Sequence, residues 1–244
     1  AAAFGTIARA DAFEGLQVQV VGQGRPVLMI PGLNSAGAVW TETCAALQPG
    51  VQCHIVQLPG FAGSPAVSAE PYLESMRDRL LAYVEARKLT QPVLMGHSLG
   101  GAVALMMAAQ APQRLDRLVI VDTLPFLAGI RNPSATAEAA RAMAAGMRTQ
   151  MLQSSPEQWA AQSRAMAPGM TRDNPAGAEK IIAWGLASDR PTTAQAMSEL
   201  WGADLRPLLP RIERPVLVLG SWAAYAPMGS TLESTRKIFE TQYA

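Results

Sequence analysis

Residues 91–110 read QPVLMGHSLGGAVALMMAAQ. No other stretch restricts the fold as much. Val93, Leu94 and Met95 are uniformly apolar, as expected of a strand covered on both faces of a parallel sheet. Residues 102–109 read as a helix. Between them Gly96-His97-Ser98-Leu99-Gly100 fits G-x-S-x-G, a strand-to-helix turn so sharp that its serine takes strained backbone angles. Gly96 and Gly100 remove side chains that would collide, and Gly101 and Ala102 let the helix pack closely on the strand. The Ser98 hydroxyl then stands at a helix N-terminus. There the Leu99 N–H and the helix dipole can hold a developing oxyanion. The competing reading is a Gly-rich turn capped by serine.

The flanking sequence repeats the strand–helix alternation. Residues 16–20 alternate apolar and polar, a strand with one wet face. Apolar runs at 27–30, 118–121 and 216–219, with His54-Ile55-Val56, supply further strands. Gly22-Gln23-Gly24 is a turn, because no third glycine follows at nucleotide-loop spacing. Helices are expected at 39–47 and 70–88. In the latter, Leu73, Met76, Leu80 and Tyr83 fall three or four apart among charged residues. Such alternation implies a mostly parallel, doubly wound α/β sheet with helices on both faces. Between Asp122 and Pro215 no convincing strand occurs. Ordinary strand-to-helix connections run about 2–6 residues, so this Ala- and Met-rich stretch is an insertion with its own helices. It is expected over the strand ends, where ligands bind in such sheets.

Composition narrows the partners. Lys+Arg number 20 and Asp+Glu 19 in 244 residues, a formal charge of +1. That balance gives no electrostatic case for nucleic acid, and no apolar run is long enough for a membrane-spanning helix. No metal-site motif is present. Cys44 and Cys53 form either one bridge or two buried thiols. The start Ala1-Ala2-Ala3 suits the residue of a signal-peptidase cut, hence export to periplasm or medium, or alternatively a trimmed cytoplasmic start. Oligomeric state is not legible.

With the Ser98 turn in hand, the chain resembles the α/β-hydrolase family over nearly its whole length. Pro31-Gly32-Leu33-Asn34 looks like the family's oxyanion loop, with Pro31 where His is frequent. The resemblance implies that the Leu33 and Leu99 N–H groups form the oxyanion hole. Residues 57–64, QLPGFAGS, look like the family's D-x-P-G-x-G-x-S loop, with Gln57 in place of Asp. It also implies a core first part at 1–124, a helical cap at 125–205 and a core second part at 206–244.

The family orders its triad Ser, acid, His, and here the last two steps fail. Ala223 stands where the acid is common. Some members carry the acid at the end of the preceding strand, and Asp122 stands there; the alternative is that Asp122 caps the turn into the insertion. His97 follows the pattern as the residue before the nucleophile and points away from its hydroxyl. His54 lies several residues below the strand's C-terminal edge, at about 3.3 Å per residue. Neither is the base. The expected explanation is a further strand, histidine loop and helix of roughly 25–35 residues beyond residue 244, following a helix at 231–243.

The resemblance implies a serine esterase or lipase that cleaves a small-molecule carboxylic ester with an apolar acyl or alcohol group through an acyl-serine intermediate, without cofactor. Met143, Met147 and Met151 share a helix face, and Met166, Met170 and Met197 follow. Such methionines line an apolar pocket or fill the cap's own core. Phe61, Phe126 and Leu33 are further candidate walls, with Met147. The alternative function is a non-catalytic hydrolase-like module that binds an apolar ligand or partner.

Overall fold

The structure, a computed structural model, describes residues 8–130, 132–171 and 174–244. The Ala1-Ala2-Ala3 start lies outside the described residues. Seven strands form one sheet: β1 (Ala8–Phe13), β2 (Leu16–Gly22), β3 (Gly24–Ile30), β4 (Gly50–Gln57), β5 (Val93–His97), β6 (Leu118–Val121) and β7 (Val216–Leu219). Their order is β1-β2-β4-β3-β5-β6-β7. β1 and β2 are antiparallel to their neighbours, and the other pairings are parallel. The mostly parallel α/β expectation therefore holds.

Periodicity explains each face. On β2, Leu16 and Val18 are buried while Gln17 and Gln19 are exposed. Helix α2 (Tyr72–Ala86) buries Leu73, Met76, Leu80 and Tyr83. Helix α3 (Leu99–Gln110) is apolar all round, and only its last residue reaches solvent. That pattern marks a helix packed between a sheet and other helices. The main core joins α2 and α3 to one face of the sheet. A second cluster on the opposite face packs Trp40 and Cys44 against Met29, Cys53 and Ile55. Helix α1 (Thr41–Ala46) carries Cys44, which bridges to Cys53 on β4. The cysteine alternatives thus resolve to one disulfide.

β1 was not anticipated, because ARADAF lacks a strand-like apolar pattern. Its hairpin turn holds it. Glu14 and Gly15 both have positive φ, 48° and 86°, the conformation of a two-residue type I′ turn. Pairing then runs from Phe13↔Leu16 to Ala8↔Val21. Asp11 is tied to Arg87, whose guanidinium also lies over the Phe13 and Tyr83 rings.

Among the described residues four α-helices come between β6 and β7: α4 (Ala137–Gln153), α5 (Pro156–Thr171), α6 (Pro175–Ala187) and α7 (Arg190–Gly202). No strand interrupts them among the described residues. Thr136, Asn174 and Asp189 cap α4, α6 and α7 through side-chain oxygens, each worth about 1 kcal/mol. α4 lies on α7 through small residues: Ala140 and Ala144 are buried, and a Cβ on Gly202 would sit 3.5 Å from that of Ala144. The methionines stand outside this seam. Met143, Met166 and Met170 are about half exposed, at 49%, 57% and 58%.

The insertion is fastened to the core by polar groups. The Asp189 N–H donates to the Gly60 carbonyl at 2.7 Å, and the Gly63 N–H donates to the Ala187 carbonyl at 3.1 Å. The Ala62 N–H donates to Ser188 Oγ at 2.9 Å. Glu199 on α7 accepts from the Tyr72 and Leu73 N–H groups, both at 2.7 Å. A carboxylate from the insertion thereby caps the N-terminus of a core helix. These contacts seat the α6–α7 junction on the loop that follows β4. At the far side, β7 is the sheet edge, and helix α8 (Leu232–Gln242) ends the described chain. Leu217 and Leu219 on β7 are 55% and 48% exposed.

Candidate active site

Ser98 sits where β5 passes into α3, at φ 52° and ψ −118°. A non-glycine residue with positive φ is held only where its surroundings over-determine it. Those surroundings are close backbone approaches. A Cβ on Gly96 would stand 2.4 Å from the Gly100 carbonyl oxygen, and one on Gly100 would stand 2.3 Å from that of Ile30. The Ser98 N–H donates to the Val121 carbonyl at 3.0 Å. Its own carbonyl accepts from the Gly101 and Ala102 N–H groups and from Thr123 Oγ1, the last at 2.9 Å. Thr123 is 3% exposed and buttresses the turn from the end of β6. Sequence reading missed it, since only its packing against Gly101 reveals the role.

The loop after β3 lies alongside. A Cβ on Gly32 would meet His97 Nδ1 at 2.9 Å and Ser98 Cβ at 3.3 Å. The chain reverses at once, with the Ser35 N–H donating to the Gly32 carbonyl at 3.2 Å. Asn34 at φ 58° supplies the left-handed position, which Asn tolerates better than other side chains. Leu33 therefore lies in a turn whose Gly32 packs against Ser98. Leu99 is the first residue of α3, so its N–H has no intrahelical acceptor. The Leu33 and Leu99 N–H groups are the candidate oxyanion donors.

Asp122 closes β6, which neighbours β5. It too has positive φ, 48°. Its N–H donates to the Leu219 carbonyl at 2.8 Å, and its Oδ1 accepts from the Ser221 N–H at 3.0 Å. Tyr225 lies close enough that burial, first, and the Asp122 charge, second, raise its pKa.

Neither histidine bonds to Ser98 or Asp122 among the described residues. His97 faces Gly32, and its Nδ1 is buried without a hydrogen-bond partner. Burial lowers its pKa, partly offset by the Asp122 charge. His54 lies on β4, where Nδ1 meets Tyr83 Oη at 2.8 Å and Nε2 meets Gln52 Oε1 at 3.0 Å. Burial lowers its pKa to about 4, against a small opposing effect of Asp11.

Gln57 explains its own departure from the family's Asp. Its Oε1 accepts from the Gly37 N–H at 2.9 Å, while Nε2 donates to the Leu58 and Phe61 carbonyls at 3.1 and 2.9 Å. Only an amide can serve all three, and it ties the loops after β3 and β4 together. Phe61 and Phe126 have no exposed surface. Phe61 packs on Tyr72, and Phe126 lies under the Arg206 guanidinium. Met147 is half-buried on α4. A surface groove of about 570 Å³ is lined by Asp78, Glu85 and Gln110, among others. It lies at the opposite end of α3 from Ser98.

The chain matches the family described as alpha/beta hydrolase fold over residues 25–228. It belongs to that family. Among the α/β hydrolases of known structure, a hydrolase from Pseudomonas aeruginosa superposes with a TM-score of 0.75, at 22% identity, over 99% of this chain and 88% of that one. An esterase from Rhodococcus gives 0.71, at 21% identity, over 96% and 86%. In sequence, the pimeloyl-[acyl-carrier protein] methyl ester esterase of Vibrio campbellii is 37% identical over 116 residues, 48% of this chain and 44% of that protein. Its Aeromonas hydrophila counterpart is 34% identical over 111 residues, 45% and 42%. These matches span under half the length of either relative. No helix among the described residues is long and apolar enough to cross a membrane.

Proposed function

We propose that this α/β hydrolase cleaves carboxylic esters by way of an acyl-Ser98 intermediate. The observation that carries the reading is a pair of strained residues, Ser98 and Asp122, at the C-terminal ends of adjacent strands. Backbone strain persists where function needs it, and a Gly-rich turn alone needs no second strained residue beside it. Ser98 Oγ attacks the ester carbonyl while an imidazole takes its proton. The Leu33 and Leu99 N–H groups bind the tetrahedral oxyanion. The imidazolium, held by Asp122, returns the proton to the departing alkoxide, and water then attacks the acyl-serine by the same route.

The described residues bring no imidazole to Ser98. In this reading the base is an imidazole that reaches Ser98 from the side of Asp122. The substrate has an apolar acyl group. Exposed methionines of α4 and α5 supply apolar surface on the insertion, with Met147 and Leu33 as lining residues and Phe61 and Phe126 packed behind. The names of the relatives suggest a methyl ester of a carrier-bound acyl chain. The Cys44–Cys53 bridge would persist in an oxidising compartment, while those names lend export no support.

The test is hydrolysis of a p-nitrophenyl ester and of a pimeloyl methyl ester by the full-length protein. Ser98→Ala should abolish the rate, and Asp122→Asn should lower it by about 10⁴. Equal rates for wild type and Ser98→Ala would leave the ligand-binding module as the better account.

A further inference from the structure

A hydroxyl outside the triad reaches the oxyanion loop from the insertion. Thr193 stands in the first turn of α7 and is 1% exposed. Its Oγ1 lies 2.7 Å from Asn34 Oδ1 and 2.9 Å from the Asp189 carbonyl oxygen. The hydroxyl has one proton to give. The Asp189 carbonyl already accepts the helical N–H of Thr193 at 2.9 Å. Asn34 Oδ1 has no other donor among the described residues, and 2.7 Å is an ordinary O–H···O length. The proton therefore goes to Asn34, which follows Leu33 and makes the left-handed position of its turn.

We propose that Thr193 is a positioning residue for the oxyanion hole: by fixing Asn34 it holds the Leu33 N–H against Ser98, and so couples insertion docking to catalytic competence. This rests on the esterase reading, with Leu33 as an oxyanion donor. Three observations make the coupling specific. Among the described residues the turn at residues 32–35 has locally its own 3.2 Å backbone bond and a 3.4 Å Ser35 Oγ contact to the Leu33 carbonyl. The Thr193 side chain is 1% exposed, so its hydroxyl has no bulk water to bond in place of Asn34. The neighbouring anchors at Asp189, Ser188 and Ala187 fix the N-terminus of α7 on the adjacent loop, so the hydroxyl has a rigid base.

The variants are Thr193→Val, which keeps shape and removes the hydroxyl, and Thr193→Ser, which restores it. Two readouts are independent of each other. Amide hydrogen exchange in residues 31–37 reports the turn directly and needs no catalysis; Thr193→Val should speed it about tenfold and Thr193→Ser should not. An alkylboronic acid reports the oxyanion hole. The Ser98 oxygen adds to boron, a B–O bond forms, boron takes the negative charge and the serine proton leaves to water. Thr193→Val should weaken that adduct about tenfold and lower ester kcat similarly, with the affinity for a carboxylate product and KM little changed. Thr193→Ser should recover both. Unchanged exchange, or faster exchange with unchanged boronate affinity and kcat, overturns the proposal. If wild type and Ser98→Ala bind the boronate equally, the esterase reading itself fails and takes this assignment with it. The exchange data then show whether Thr193 still holds the turn as scaffold.

Discussion

Glu199→Ala should loosen the insertion and cost about 3 kcal/mol. The Glu199 carboxylate accepts from two backbone donors at the start of α2, the N–H groups of Tyr72 and Leu73, each at 2.7 Å. Both residues are nearly inaccessible, at 1% and 3%. A hydrogen bond to a charged group contributes about 1.5–3 kcal/mol, and a buried donor left without a partner costs about 1–3 kcal/mol. The negative charge also sits at the positive end of the α2 dipole, worth about 0.3–1 kcal/mol. Two bonds at the lower limit, without the dipole effect, already give about 3 kcal/mol. In a chain this long each kcal/mol moves Tm by about 2–4 °C, so the midpoint should fall by about 6–12 °C. Glu199→Gln keeps one acceptor oxygen and places an NH₂ against the other donor, so it should lie between wild type and Ala. Thermal and urea unfolding of the three proteins measure the order. If Glu199→Ala unfolds within about 0.5 kcal/mol of wild type, a typical surface change, the inter-element cap contributes nothing and the account of how the insertion is fastened is wrong.

His54 should make the fold sensitive to mild acid. Its two contacts match a neutral ring that donates from Nε2 to Gln52 and accepts at Nδ1 from Tyr83, and its pKa is lowered from 6.5 to about 4. Between those values the unfolded chain binds the proton and the folded one does not. Stability is therefore complete above about pH 6.5 and declines as pH falls toward 4, by at most about 3 kcal/mol; His54→Gln should flatten that part of the curve. A decline of the same size in the variant would remove His54 as its source. Gln57→Glu should destabilise by about 2–4 kcal/mol at pH 7, because an acceptor replaces the donor facing the Leu58 and Phe61 carbonyls; urea unfolding checks it. Thr123→Val, nearly isosteric, should lower ester kcat with a stability loss of about 1 kcal/mol, since it removes one of the three donors to the Ser98 carbonyl. Leu217→Lys should raise the solubility limit by charging an apolar edge strand, as measured by static light scattering against concentration.

The elements legible in the sequence were those whose signal sits within one segment. Four uniformly apolar runs became β3, β5, β6 and β7, and the three-and-four spacing of Leu73, Met76, Leu80 and Tyr83 became α2. The Ser98 turn was legible because its glycines answer clashes with backbone on the same strand–helix unit or the next strand. β1 was not, since Ala, Arg and Asp carry no apolar alternation. The signal lay in the Glu14-Gly15 turn, two residues that permit a tight hairpin, and in Arg87, which waits on another element.

What escaped the sequence was of one kind. Thr193 and Asn34 lie 159 positions apart, Glu199 and Tyr72 lie 127 apart, and Thr123 and Ser98 lie 25 apart. Each pair joins a polar side chain to a turn or a helix end, and the side chains that reach across, Thr193, Glu199 and Thr123, stand in no motif. Apolar periodicity identifies which face of an element is buried, because burial is a property of the face. It says nothing of which hydroxyl meets which loop, because that depends on the distance between two elements after both have packed. The same distinction separates the two halves of the candidate site. Ser98 is fixed by local collisions and should tolerate loosening of the insertion. The proposed Leu33 donor depends on the Thr193–Asn34 contact made across 159 positions and should not. Mild destabilisation of α7 ought therefore to reduce oxyanion binding well before it disturbs the nucleophile, a sequence of losses that purely local construction of the site would not produce.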